Sequence, residues 1–412
     1  MGMGLGKRMK NKKILIADGI LFLVLTGVFF FLLYKLFYMQ CLNPDSMYSD
    51  MPTYIAKSLG QESGYNTPYP ILFWVSTLCV KIMTPEVGMS IATLLFSVSA
   101  LLVTKYYVIK LFEKCESTKK YAWLLSTVAV FLIFTVSMIY FPYSIQKHIN
   151  ALMYRYMGAY SGNPFHNATY LAVRPFAIAT FFVFVKILNE YEEKTDIKDH
   201  IVFTILLLLA TLTKPSFTFI LVPAAGIIML YRWGKTGFKN WKQTFNLGYC
   251  FIPTFITLLI QFMGRFGQSD AGKTSSMTVL LGGSWKIHTT NIPLGILLGM
   301  AFPLLFLVLN YKKIKENQMY RFSWQMWIVG TVTHLFLCEA GESYIHANFA
   351  WGYMHGMFFV FTTSIILLIG NTCKKSQKWY ALLMEWLLLG AHVVCGMYYF
   401  YHLLCGGYAL TF

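Results

Sequence analysis

Eleven apolar runs of roughly 15–25 residues divide this 412-residue chain, and no soluble fold can bury that many. They lie at about 14–36, 88–111, 121–141, 171–189, 200–214, 216–231, 245–263, 294–311, 323–338, 351–370 and 379–403. A helix needs about 20 predominantly apolar residues to cross a bilayer, and most of these runs reach that length. The fifth and sixth are short and meet at Lys214-Pro215, which predicts a tight helical hairpin. Hydrophobic residues make up 57% of the chain and charged residues 12%, against roughly 45–50% and 25% in soluble domains. The expected fold class is therefore an all-α, polytopic membrane helix bundle forming one transmembrane domain over 1–412. Collagen-like, disordered and disulfide-rich secreted classes are excluded.

Net charge is +17. In a soluble protein that excess would raise nucleic-acid binding. Here the basic residues fall between apolar runs, where they mark cytoplasmic loops and anionic headgroups. Membrane lipids are the expected partner, and nucleic acid is not. With the N-terminus placed in the cytoplasm, 24 of the 34 Lys and Arg fall on inner loops and adjoining run ends. An odd number of crossings then places the C-terminus outside. The first apolar run is too long for a cleaved signal peptide and reads as an uncleaved helix. The eight cysteines form no CxxC pair; they read as small hydrophobes rather than a zinc site or a disulfide framework.

This topology leaves long loops on the outer face, at about 37–87, 142–170, 264–293 and 339–350, with the first two expected to form a cap. The first carries Asp45 and Asp50, with Tyr54 four residues on, then an amphipathic stretch through Leu59 and the turn Pro68-Tyr69-Pro70. The apolar segment ending at Lys81 is too short to span and suits the interface. A carboxylate held at a membrane surface serves as a general base on a sugar hydroxyl. The same two aspartates also fit a helix N-cap and a solvated loop charge.

The first apolar run, Asp50 followed by Tyr54 in SDMPTYIA, a helical stretch, a Tyr-Pro turn and an apolar segment together resemble the GT-C glycosyltransferases. The resemblance is close over the first loop and topological elsewhere. It implies a multi-spanning enzyme with a polyprenyl-phosphate-linked sugar donor, and it implies Asp50 as catalytic base. Met51 stands where that family commonly has an acidic residue, so a second carboxylate role falls to Asp45.

The second outer loop gathers Lys147, His148, Arg155, Asn163, His166, Asn167 and Arg174, groups suited to a phosphate or a sugar. Its NPFHNATY string is similar to a loop motif of bacterial multi-spanning transferases. Arg174 either clamps a lipid phosphate or snorkels to headgroups. Lys214 presents the same choice, because a buried ammonium needs a partner. The expected donor-binding set is Arg174, Lys214, Arg155, His166 and Asn167. Asn167-Ala168-Thr169 also matches a glycosylation sequon, a frequent chance match. The fourth loop supplies Glu339, Glu342 and His346, an acceptor or second site together with Tyr54, near His355 and Trp351. Their spacing matches no standard zinc motif. No cofactor is required by these residues, and a divalent cation remains open. Gly267 to Thr274 formally satisfies a phosphate-loop pattern, but no strand leads in and the loop lies outside. His392 and His402 read as packing histidines.

The expected function is transfer of a sugar from a polyprenyl-phosphate donor to a glycan, lipid or protein acceptor at the outer face of a plasma membrane, in building the cell envelope. The alternatives are a transporter or flippase of a lipid-linked or polar solute, and a non-catalytic assembly subunit.

Overall fold

Proline and asparagine set where several of the helices begin. In the computed structural model, which describes residues 2–43, 46–47, 49–63, 68–140, 161–193, 196–266, 276–289 and 291–406, the first long helix is α1 (Gly2–Leu42). Proline sits in the first turn of α2 (Met51–Ser58), α3 (Pro70–Ile82) and α4 (Pro85–Glu113), where its missing N–H costs nothing. The next is α5 (Ala122–Thr135). Asn167 caps α6 (Ala168–Glu190) by accepting from the Tyr170 backbone N–H, and Asp196 caps α7 (Ile197–Thr213) in the same way. Then come α8 (Thr218–Lys235), α9 (Trp241–Tyr249) and α10 (Ile252–Phe266). Two half-helices follow, α11 (Ile292–Gly299) and α12 (Ala301–Leu309). The chain closes with α13 (Gln318–Phe336), α14 (Ala350–Lys374) and α15 (Trp379–Leu404). Three single helical turns, at Glu116–Lys119, Trp285–His288 and Lys313–Glu316, are left unlabelled. One small antiparallel sheet pairs β1 (Met277–Val279) with β2 (Leu337–Glu339), Met277 facing Glu339.

Among the described residues the regular structure is helical apart from that sheet, and several of the helices are apolar enough to cross a membrane. Each of the eleven apolar runs falls on a helix or a bent helix pair. Five are long and apolar enough to span: Ile14–Leu42 of α1, then α4, α6, α14 and α15. The count rises to seven if α9 with α10, bent by 42°, and α11 with α12, bent by 72°, are each one crossing. The remaining four, α5, α7, α8 and α13, do not meet that standard among the described residues. Eleven independent spans therefore overstate what these helices satisfy one by one. α5 is the clearest case: it ends at Thr135, and 136–140 continue without helix although the apolar run does not stop there.

The core is built around α6 and α14, both buried along nearly their whole length. Backbone contact between α13 and α14 depends on glycine. A Cβ at Gly356 would lie 2.6 Å from the Trp327 Cα, and one at Gly330 would lie 2.9 Å from the Tyr353 Cα. Small residues permit this approach, and close packing rather than the hydrophobic effect holds helices together within lipid. On the other side, Asp18 of α1 pairs with Lys105 of α4 at 3.0 Å, both buried, and the hydroxyls of Ser126 and Thr127 on α5 complete the cluster.

His392 joins the two irregular segments of the bundle. Its Nε2 accepts from the Phe302 backbone N–H at 3.1 Å, a donor left free where α11 breaks into α12. Its Nδ1 donates to the Ser137 carbonyl at 2.6 Å, just past the end of α5. The two bonds fix the tautomer and satisfy two backbone groups that the apolar interior would otherwise strand. His392 is thus the packing histidine the sequence led us to expect. Substituting His392→Leu leaves both groups orphaned at about 1–3 kcal/mol each. Thermal unfolding of the detergent-solubilised variant should show the loss, and an unchanged midpoint would contradict it.

Candidate functional site

Three segments far apart in sequence bring their polar side chains to one place beside α14. Asp50 is the N-cap residue of α2, yet its carboxylate makes no cap bond to its own helix. Instead Oδ2 accepts from the Tyr54 hydroxyl at 3.1 Å and from the Asn167 Nδ2 at 2.6 Å. The i, i+4 spacing on α2 allows the first bond. The second rests on the cap of α6: because Asn167 Oδ1 accepts from the Tyr170 N–H at 2.9 Å, its Nδ2 must face Asp50.

Asn167 is the hub. Its Oδ1 also accepts from the Thr169 hydroxyl at 2.7 Å and from the Lys214 ammonium at 3.0 Å. Lys214 Nζ donates to the Thr169 Oγ1 at 2.9 Å and sits 4.2 Å from the centre of the Trp351 ring. Pro215 explains the placement. The residue before proline is pushed out of the helical region, so α7 stops at Thr213 and Lys214 is extended, at φ −165° and ψ 121°. That turn aims the ammonium into the protein, where the residue is only 6% exposed. Lys214 therefore does not snorkel. Asp50 is half-buried at the mouth of the site, with the buried cation behind it.

The other expected residues divide. Tyr54 belongs to the network. His166 is buried against Trp351, ring centres 5.7 Å apart. Arg174 is fully buried but faces the other way: its guanidinium donates to the Gly162 carbonyl and to the Asn163 Oδ1, 2.9 Å distant, between Phe134, Tyr170 and Phe358. Asn163 in turn donates to the carbonyls of Ile133 and Val136 at the end of α5. In this structure Arg174 fastens the strand of chain that leads into His166 and Asn167. It neither snorkels nor bonds to a member of the Asp50 network among the described residues.

Glu339 is buried at the end of β2 and accepts from Asn348 at 2.6 Å, while His346 is exposed at the end of the 3-10 turn Gly341–His346. Asp45, Arg155, Lys147, His148 and the Gly267–Thr274 string lie outside the described residues, as does the side chain of Glu342. Among the described residues no three His, Cys, Asp or Glu side chains gather as a metal site. The Asn167 sequon is no glycan acceptor in this fold, since both ends of its amide are engaged and the residue is 2% exposed. Two members escaped the sequence reading. Thr169 signals itself only by following the cap, and Trp351, noted merely as a neighbour of His355, is the face on which Lys214 rests. His355, one turn beyond Trp351, stacks on Tyr170 at 4.1 Å.

Beside the network, Lys57 of α2 lies 4.5 Å from the centre of the Phe73 ring. Burial holds its ammonium down at about 8, from an ordinary 10.5. The unfolded chain therefore binds more protons between those values. The stability cost of Lys57 is fully present below pH 8 and fades as pH rises toward 10.5. Lys57→Met should be the more stable protein at pH 7, with the difference shrinking by pH 10 in parallel unfolding titrations. A difference constant with pH would remove burial as the cause.

No protein-family model matches the chain, and no curated protein matches it in sequence.

Proposed function

We propose that the chain is a GT-C-type membrane glycosyltransferase that moves a sugar from a polyprenyl-phosphate-linked donor to a glycan, lipid or protein acceptor. The observation that carries this reading is the half-open Asp50 carboxylate, oriented by Asn167 and Tyr54, with the buried Lys214 ammonium behind the same asparagine. One carboxylate oxygen is held by two donors, which leaves the other to take a proton from an acceptor hydroxyl. The acceptor oxygen then attacks the anomeric carbon, the sugar–phosphate bond breaks, and the electron pair leaves on the lipid phosphate. Charge grows on that phosphate in the transition state, and a fixed buried cation stabilises it where water is excluded. His166 and Trp351 offer a platform for a sugar ring, and Arg174 acts by holding the loop that carries Asn167. Glu339, Glu342 and His346 are the acceptor side of this proposal.

Eleven crossings belong to the same proposal, with α5, α7, α8 and α13 supplying the four beyond the seven that qualify alone. The N-terminus is then cytoplasmic, the C-terminus and the Asp50 site lie outside a plasma membrane, and the basic turns face in.

The test is transfer of radiolabelled sugar from a pool of polyprenyl-phosphate sugars by purified protein, wild type beside Asp50→Asn. Transfer that collapses in the variant supports the reading. Absence of transfer by either, across several acceptors, overturns it. A transporter is the second reading, and the specific observation in its favour is the pair of bent helices α9–α10 and α11–α12, since interrupted helices are a common transporter device. Solute uptake into vesicles would select it.

A further inference from the structure

At the end of α7 far from Lys214, an open cleft of about 480 Å³ lies between the first half of that helix and the end of α9. The volume falls within the roughly 300–1,000 Å³ of small-molecule sites. Its α7 wall carries Ile197, Ile201 and Ile205, spaced one helical turn apart and all exposed. Its α9 wall carries Asn246, Tyr249 and Cys250, where α9 bends by 42° into α10.

Two polar groups of the cleft wall are spent inside their own helices. The Thr204 hydroxyl donates to the His200 carbonyl at 2.8 Å, and the Cys250 thiol donates to the Asn246 carbonyl at 3.4 Å. One residue from each, Phe203 packs on Phe184 of α6 and on Phe251 at the bend, ring centres 5.1 and 5.3 Å apart. That contact fastens α6, α7 and the bend together, so the walls stand before a ligand arrives. The rim is basic. Lys198 precedes Ile201 by three residues and Ile205 by seven; Lys242 precedes Asn246 by four and Tyr249 by seven. These spacings put each lysine on the helix face that lines the cleft. Both are exposed, and neither makes an ion pair among the described residues. Of the carboxylates on the first turn of α7, Asp199 pairs with Lys186 at 2.7 Å and Asp196 caps the helix. Trp241, Phe245 and Tyr249 add an exposed aromatic stripe to α9, the residue types of a membrane interface.

We propose that this cleft seats one anionic phospholipid of the bilayer, with an acyl chain between the isoleucines and Tyr249 and the phosphate at Lys198 and Lys242. The apolar wall, beside a bent helix pair long and apolar enough to cross a membrane, selects a hydrocarbon chain over a water-soluble ligand. The two rim ammoniums meet the phosphate and favour a headgroup of net negative charge over a zwitterionic one. On the topology proposed above, the cleft opens to the inner leaflet, on the side of the basic turns. Lys214 lies nine residues beyond Ile205, about 13 Å along a helix at roughly 1.5 Å per residue. The lipid is therefore separate from the sugar donor, and failure of this site would leave the Asp50 reading untouched.

The experiment is thermal unfolding of the full-length chain in detergent, titrated with phosphatidylglycerol, with phosphatidylcholine of the same chain length, or with glycerophosphate. The midpoint should rise saturably with phosphatidylglycerol, at several-fold lower concentration than with phosphatidylcholine. It should stay flat with glycerophosphate, which offers the anion without the chain. Lys198→Gln combined with Lys242→Gln should erase the preference between the two lipids. Ile201→Trp fills the cleft from an exposed position and should abolish the saturable rise; Tyr249→Ala, which should weaken it several-fold, gives a second reading should the tryptophan variant fail to fold. A flat wild-type response overturns the proposal. So does an equal response to both lipids, or a preference that the double glutamine variant keeps, because the lipid is then bound without the rim lysines. A rise with glycerophosphate overturns it as well, since the site then takes an anion with no chain, and a rise that Ile201→Trp retains puts the lipid outside the cleft.

Discussion

Asp50→Asn should lower sugar transfer by about 10²–10⁴-fold, the usual contribution of a positioned general base, while leaving the protein folded. The substitution is close to isosteric. The side-chain oxygen of an asparagine can still accept from Tyr54 and Asn167, which now approach the aspartate at 3.1 and 2.6 Å. What disappears is the basic oxygen on the open side. On the proposed reading, donor binding depends on Lys214 and the aromatic wall, so KM for the donor should move little while kcat falls, the mark of an interaction made only in the transition state. If both proteins transfer equally, the enzyme stands but the base moves to Asp45 or Glu342. A fall in the unfolding midpoint matching the fall in activity would instead make Asp50 a structural residue of α2.

The residue types of the site were legible and its wiring was not. Asp50 and Tyr54 announce themselves by spacing, and Lys214 by being an ionisable group next to a proline at the end of an apolar run. Asn167 stands in the expected donor-binding set, but its part as the hub of the network is not readable from the sequence. Nothing in the sequence says that the second end of the amide meets Asp50, 117 residues away. Arg174 shows the converse. Two turns beyond Asn167 it looks like a phosphate clamp, and only the packing of Tyr170 and Phe358 reveals that it turns to Gly162 and Asn163 instead. The fold follows the same division. Apolar length located the long helices that carry the eleven runs, because that property is local. The end of α5 is not local: the chain leaves the helix at Val136, where Ser137 is tied to His392 and Val136 to Asn163, contacts no periodicity encodes.

Lys214→Met should produce effects of opposite sign on activity and stability, and that pairing is what separates a functional from a structural cation. In this structure the ammonium is buried, and its partners are a neutral amide, a hydroxyl and an indole face. It makes no ion pair with Asp50 among the described residues, the two being joined by hydrogen bonds through Asn167. Taking an ammonium out of water costs several kcal/mol, and replacing a buried ionic group by an apolar one of similar volume is often neutral or stabilising. The methionine variant should therefore unfold at an equal or higher temperature. If the leaving phosphate relies on that charge, kcat should fall by about 10²–10³, the scale for losing one preorganised electrostatic group. On the proposed reading, such a cation is kept at the expense of stability because the donor phosphate arrives with negative charge. Loss of stability with transfer intact would reverse the assignment: Lys214 would then be a clasp between α6 and α14, and the phosphate would have to be met elsewhere.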